Sequence, residues 1–562
     1  MRKLSIIIIG SVLSTMQMHA DSINMYGSPD KDNPYKWSDS TNNQPWAGGN
    51  PTTDIALWKG TDGSIQAPGY ILVDNDYYLN QIKVSGGGGA GSNLNLIFDD
   101  TVSSSLSFSN GKEAFNLNSH YLDINLSGKG TVNYDATGIS ELFTYSNNSN
   151  ASTFTIGENI TVQTKENLLV NGHTTGGVNV VHVNGIVQTK ENGYFTTTDY
   201  GKKTINIYGA KAEMKYANFA FDAASVNIYD GGKLTATGEI KLRGSANVVS
   251  GVNSTITADN LLIGNDNSDA SISSGSKLSI GGIANINSIY LYKGNEFVVT
   301  EGATLTANYL ELSKNVNAGV DTTVGITKTT INGTVNVENG ILTQVLANLK
   351  VSNTGKLNVA NGKIHISYSS TKNQDTFVIE SSGNDIKADF YLPKYAGLRV
   401  YGDNTWSKSS ILVRGDGAYL TVGNNSTLTL ESLLWANGKS KDFILTVEEG
   451  STLIIEDFTG SLTYDDSTFM SLGMTTDNSL LDLATFNEKS ILFKTIGSDE
   501  ENAKFLSKVY LNRNEIENLR FSDYDSVAGG YWLTAVTVPE PAEYAMILGA
   551  LALGLTIYRR RK

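Results

Sequence analysis

Side chains able to do chemistry are sparse along these 562 residues. There is no cysteine, which removes thiol nucleophiles, cysteine metal sites and disulfides together. Of the five histidines, His173 and His182 are closest in sequence, and His182 sits between Val181 and Val183. That alternation points it outward on a strand and not into a zinc site. The turn GNDNSDA at 264–270 offers oxygen ligands to a weak calcium site, but has neither the EF-hand spacing nor the Gly-Gly-x-Gly-x-Asp repeat. Arg414, Gly415 and Asp416 spell a tripeptide used by integrin ligands; three residues are too short a pattern to carry that function. The pairs Asp99–Asp100 and Asp465–Asp466 read as turn or edge residues. A Ser, His and Asp triad assembles in space and is not legible along the chain. No metal and no cofactor is expected.

Carboxylates stacked on successive repeats would be the mark of a polysaccharide hydrolase or lyase, so the repeats decide the matter. The chain is organised around VNIYDGGKLTATGEIKL, residues 226–242. Its centre returns as GAKAEM at 209, NSTITA at 253, GSKLSI at 275, GATLTA at 302, NGTVNV at 332, TGKLNV at 354, NSTLTL at 425 and GSTLII at 450. The first anchors, Ala212, Leu234, Ile256 and Leu278, step by 22 residues. Later steps run from 22 to 30, with one gap of 71 able to hold three coils. The position after each anchor holds Glu213, Thr235, Thr257, Ser279, Thr306, Asn336, Asn358, Thr429 and Ile454. One of these is acidic, so no paired-carboxylate site is expected there.

A fixed step of this size marks an array whose units are stable only when stacked. In 226–251, Val226 and Ile228 fall on one strand, Leu234 and Ala236 on the next, Ile240 and Leu242 on a third, and Val248 opens the following coil. Leu234 and Ala236 then point inward while Lys233 and Thr235 face water. Asp230 to Gly232 supplies the corner, with counterparts at 251–254, 274–276 and 301–303. The string QTKEN occurs at 163 and again at 188, an internal duplication at coil spacing. The predicted fold is all-β, a right-handed parallel β-helix. A rival reading makes each strand, turn and strand an antiparallel hairpin, supported by the Asp-Gly and Asn-Gly turns. A 22-residue step repeated three times favours the helix.

Composition agrees. Gly reaches 56 residues and Pro only 8, and charged residues make up 17%, which suits short strands and tight turns. Residues 1–20, with Arg2 and Lys3 before the apolar run Leu4 to Leu13, read as a signal peptide cleaved after Ala20. Residues 21–100 are expected to form an N-terminal cap and first coils, with Trp37, Trp46 and Trp58 as cap or core residues. Residues 101–456 hold the repeats and 457–537 the last coils and a cap, including a possible helical turn within 498–521. Without the two end segments the body keeps 36 basic and 54 acidic residues, a net charge of −18. Nucleic acid is therefore not an expected partner.

The tail, 538–562, joins three parts in order: Pro539, Glu540 and Pro541; an apolar run from Tyr544 to Tyr558; and the basic stop Arg559, Arg560, Arg561 and Lys562. It resembles a PEP-CTERM sorting signal over some 24 residues. The apolar run is expected to form a single transmembrane helix with its basic end in the cytoplasm. The resemblance implies cleavage near Pro-Glu-Pro by an exosortase-type membrane enzyme. It also implies an inner-membrane intermediate and delivery to the cell surface or extracellular matrix. The expected function is that of a non-enzymatic structural or adhesin-like protein, its polar outer faces offered to extracellular polysaccharide. The alternative is a β-helical carbohydrate-active enzyme carried by the same signal. An autotransporter passenger resembles the repeats but should end in a membrane β-barrel.

Overall fold

The computed structural model describes residues 22–37, 55–58, 68–84, 93–110, 114–117, 123–142, 152–172, 178–199, 201–264, 275–314, 326–343, 347–366, 376–438, 440–464, 467–535 and 541–560. The chain is all-β with large parallel sheets, consistent with a β-solenoid. It divides into two compact units, Met1–Thr255 and Ile256–Lys562.

In the first unit the strands of the central repeat are Ala224–Tyr229, Lys233–Ala236 and Glu239–Arg243, and Asn247–Ser250 opens the next coil. Each pairs in parallel with its copy one coil away and not with its chain neighbour. This disposes of the hairpin reading. Alternation places one residue of each register row in the interior: Leu94, Ile124, Phe154, Val181, Ile205, Val226 and Val248 form one continuous buried column. Burial of such apolar columns, at roughly 25 cal/mol per Å², together with coil-to-coil hydrogen bonds, takes the place of disulfides. At the corner Asp230 and Gly231 take φ values of 51° and 91°, a left-handed pair that short polar and glycine residues tolerate best.

The expected alignment of Ala212 with Leu234 is corrected. Met214 is the register partner of Leu234. Ala212 closes the corner, where its carbonyl accepts the Lys233 N–H at 2.9 Å. The corner between Tyr208 and Glu213 is one residue longer than that between Tyr229 and Lys233. Both Ala212 and Met214 are buried, so a slip of two leaves the inward pattern intact. QTKEN is corner chemistry: Gln163 and Thr164 stand in register with Gln188 and Thr189. Both threonine hydroxyls donate to the Glu166 carbonyl, at 3.1 and 2.9 Å. Trp37 and Trp58 are fully buried, as expected of cap or core residues; Trp46 lies outside the described residues.

In the second unit Leu305, Val335 and Leu357 form one register row, and Leu428 pairs with Leu453, as the pattern predicts. Leu278 does not join the Leu305 row. It pairs with Phe297, while Leu305 pairs with Ala284, so two similar hexapeptides occupy different faces. The 71-residue gap contains three coil steps. The Leu357 N–H donates to the Asn384 side chain, the Asn384 N–H to the Asn404 side chain, and Asn404 pairs with Leu428. The unit closes on the helix Asp499–Leu506, started by a reciprocal Ser498–Glu501 capping box. Its Phe505 packs with Phe458, Phe493 and Phe521. The strand Tyr531–Ala535 then runs antiparallel to Leu519–Phe521 and Ile491–Phe493.

The tail forms a helix, Pro541–Arg560. Among the described residues no helix is long and apolar enough to cross a membrane.

Candidate functional site

Outer faces in both units spend their amides on one another. In the first unit Asn227 donates to Asn206 at 2.8 Å, Asn206 meets the His182 ring at 3.4 Å, and Asn125 donates to Asn95 at 3.0 Å. In the second, Asn358 donates to Asn336 at 2.8 Å. These rows run along the coil-stacking direction, so each amide satisfies the next. Glu213 belongs to such a row, accepting the Thr235 hydroxyl at 3.2 Å. It has no carboxylate as its register partner, since Ile186 and Lys233 flank it.

One concentration of reactive side chain types lies in the second unit. Lys363–His365, Asp389–Leu392, Ile411–Val413 and Leu433–Ala436 are consecutive parallel strands, with Lys363 opposite Asp389 and His365 opposite Tyr391. The hairpin Ser461–Tyr464 and Ser467–Met470 continues the sheet edge antiparallel and brings Tyr464 back over it. Tyr464 stacks on Tyr391 with centroids 4.7 Å apart and planes at 20°. Its phenol is hydrogen-bonded to His365 Nε2, and Lys363 Nζ stands 3.5 Å from its ring centre, a cation–π contact. Arg414 lies over the Tyr391 ring at 5.6 Å and donates to the Tyr391 phenol. Leu412, Leu434, Ala436 and Phe469 complete a buried cluster with the two tyrosines.

Acidic residues gather at the edge of this cluster. Burial pushes the Asp389 carboxyl up, against the Ser410 N–H that donates to it at 2.8 Å and the nearby Lys363 ammonium. Partial burial also raises Glu431, helped by the charges of Asp389, Asp457 and Glu456. Groups so placed hold a proton more readily than free carboxylates. The rest of the set is engaged. Glu456 accepts the Ser407 hydroxyl at 3.1 Å, and Asp457 accepts the Thr459 N–H and hydroxyl at 3.0 and 3.2 Å. The arrangement as a whole is a clamp that fastens the hairpin to the sheet, with the partly buried Asp389 carboxyl at its rim.

No local signal announces this cluster. Lys363 and His365 alternate around Ile364 like any outward strand residues, and their partner Tyr464 is 99 residues beyond His365. The sequence-derived candidates fare differently. His182 is on an outward strand position, in the amide row. Asp99 accepts the Thr101 N–H and hydroxyl in a turn. Arg414 and Asp416 are exposed, but Gly415 is pressed against the preceding corner, where a Cβ would come 1.8 Å from the Lys394 nitrogen. The tripeptide is therefore part of a stacked corner and not a projecting loop. Pro541 opens the tail helix, and Arg559 and Arg560 occupy its last turn, where cations suit the helix dipole. Ala20, Pro539, Glu540, Arg561, Lys562, His173 and residues 265–270 lie outside the described residues. Among the described residues no group of three or more His, Asp or Glu side chains converges to hold a metal.

No protein-family model matches the chain, and no match is found among curated proteins or among solved structures.

Proposed function

We propose that the chain is an exported, non-enzymatic surface or matrix protein, a right-handed parallel β-helix sorted by a PEP-CTERM-like tail. The observation that carries this reading is the outer amide rows: polar side chains consumed in coil-to-coil ladders serve a durable repetitive surface better than a catalytic cleft. The tail supports the sorting half. Leu548, Leu551, Leu553, Leu555 and Ile557 all stand exposed on the final helix, an apolar surface that prefers lipid to water, ahead of Arg559 and Arg560. In this reading residues 1–20 direct export, the tail helix lodges in the inner membrane, and an exosortase-type enzyme acts at Pro539, Glu540 and Pro541. The test is cell fractionation of the chain with those three residues replaced by alanine. Full-length protein should accumulate in the inner membrane; unchanged processing and location would sink the proposal.

A carbohydrate-active enzyme is the second reading, favoured by the raised carboxyls of Asp389 and Glu431 beside Lys363. Screening the chain for polysaccharide cleavage tests it. Turnover lost in both Asp389→Asn and Glu431→Gln would establish the enzyme and overturn the structural reading.

A further inference from the structure

The last strand of the body, Tyr531–Ala535, forms one wall of a groove of about 520 Å³. Small-ligand sites fall in the range of roughly 300–1,000 Å³. Its lining includes Trp532, Asp525, Arg520, Lys489, Glu488 and Thr534. Trp532 is the unusual member. Trp37, Trp58, Trp406 and Trp435 are fully buried, whereas Trp532 is left half-buried.

The indole and the backbone that carries it are each held in place. Its Nε1–H donates to Asp525 Oδ2 at 3.0 Å, while Asp525 Oδ1 accepts the Val527 and Ala528 N–H groups at 2.9 and 3.0 Å. The Trp532 backbone N–H donates to the Ser522 hydroxyl at 3.0 Å, and the Ser522 N–H returns a bond to the Trp532 carbonyl at 2.8 Å. The Ala528 N–H, the indole and the Val527 N–H hold the Asp525 carboxyl below its usual range, so it stays charged and fixed at neutral pH. An aromatic side chain locked by its own hydrogen bonds loses little freedom when a ligand stacks on it.

The lining also brings the Asp523, Asp525 and Glu488 carboxylates, the exposed Lys489 and Arg520, and the Ser522 and Thr534 side chains to the groove. The nearby Lys489 charge also favours the ionised Asp525. An indole beside dispersed donors and acceptors suits a pyranose ring, whose C–H face is apolar and whose hydroxyls point outward. Three carboxylates against two cations disfavour acidic sugars, and the charged lining disfavours lipid.

We propose that this groove binds a short stretch of neutral polysaccharide, with a sugar ring against Trp532. The proposal deepens the surface-protein reading and takes its biological setting from it. The test is titration of the full chain with cellotetraose, maltotetraose, mannotetraose and chitotetraose, following tryptophan emission and, in parallel, calorimetry. At least one should give a saturable emission change, absent in Trp532→Phe. By calorimetry, Trp532→Phe and Arg520→Ala should each weaken binding about tenfold. Arg520 is exposed, so its variant keeps the test sound should Trp532→Phe fail to fold. The idea is overturned if no tetrasaccharide binds, if tetragalacturonate binds more tightly than the neutral four, or if Arg520→Ala binds like the parent. Fractionation and titration fail independently: mislocalised protein can still bind sugar, and correctly sorted protein can still ignore it.

Discussion

Met214 and Leu234 are direct partners in neighbouring parallel strands, and both are buried in the interior of the first unit. Leu234→Ala should therefore cost about 2–5 kcal/mol, whereas Leu234→Met, close in volume, should cost less than about 1.5 kcal/mol. Denaturant unfolding followed by circular dichroism distinguishes the two. Near-equal destabilisation would mean that this column is not close-packed.

The amide rows make a second prediction. Asn227 donates to Asn206, so Asn227→Ala should lose about 0.5–1.5 kcal/mol. Asn227→Asp should be worse at neutral pH, because a carboxylate sets acceptor against acceptor. Facing that oxygen, the new carboxyl gains a raised pKa in the folded state. Its stability deficit should shrink as the pH falls and the group becomes a donor. Urea midpoints at pH 4.5 and 7.5 provide the comparison.

Lys203 is 2% exposed, and its ammonium donates to the Thr198 and Gly201 carbonyls. Burial brings its pKa down from 10.5 to about 8, against the attraction of Asp222 and Asp199. Below pH 8 both folded and unfolded chains hold the proton and the cost of the buried charge is present in full. Between about 8 and 10.5 the unfolded chain holds the proton more often, so the stability contribution rises with pH. The parent should thus gain on Lys203→Met across that window, by at most about 1.4 kcal/mol per pH unit. Parallel denaturation curves at pH 7.5 and 9.5 measure the gain.

The clamp around Tyr464 should govern the hairpin it fastens. Tyr464→Ala removes the stack on Tyr391, the bond to His365 and the seat of Lys363. Amide exchange in Ser467–Met470 should then accelerate about a hundredfold, with little change in Ile411–Val413. Tyr464→Phe keeps the stack and loses the phenol, so its acceleration should be smaller. Hydrogen exchange read by mass spectrometry resolves the segments.

By itself the sequence determined the class of fold, the three strands of the central repeat and the inward or outward sense of Val226, Leu234 and Lys233. These follow from a side-chain period of two and from turn residues such as Asp230 and Gly231, both local properties. Local pattern could not decide which inward residue meets which. A slip of two preserves every face, and corners differ in length, which is how Met214 came to replace Ala212 and how Leu278 came to leave the Leu305 row. The sites were less legible still. Lys363, Tyr391 and Tyr464, or Lys489, Arg520 and Trp532, become neighbours only when coils and closing hairpins bring distant segments together. Parallel pairing places a residue's partner a whole coil away, so tertiary structure alone decided what those side chains form.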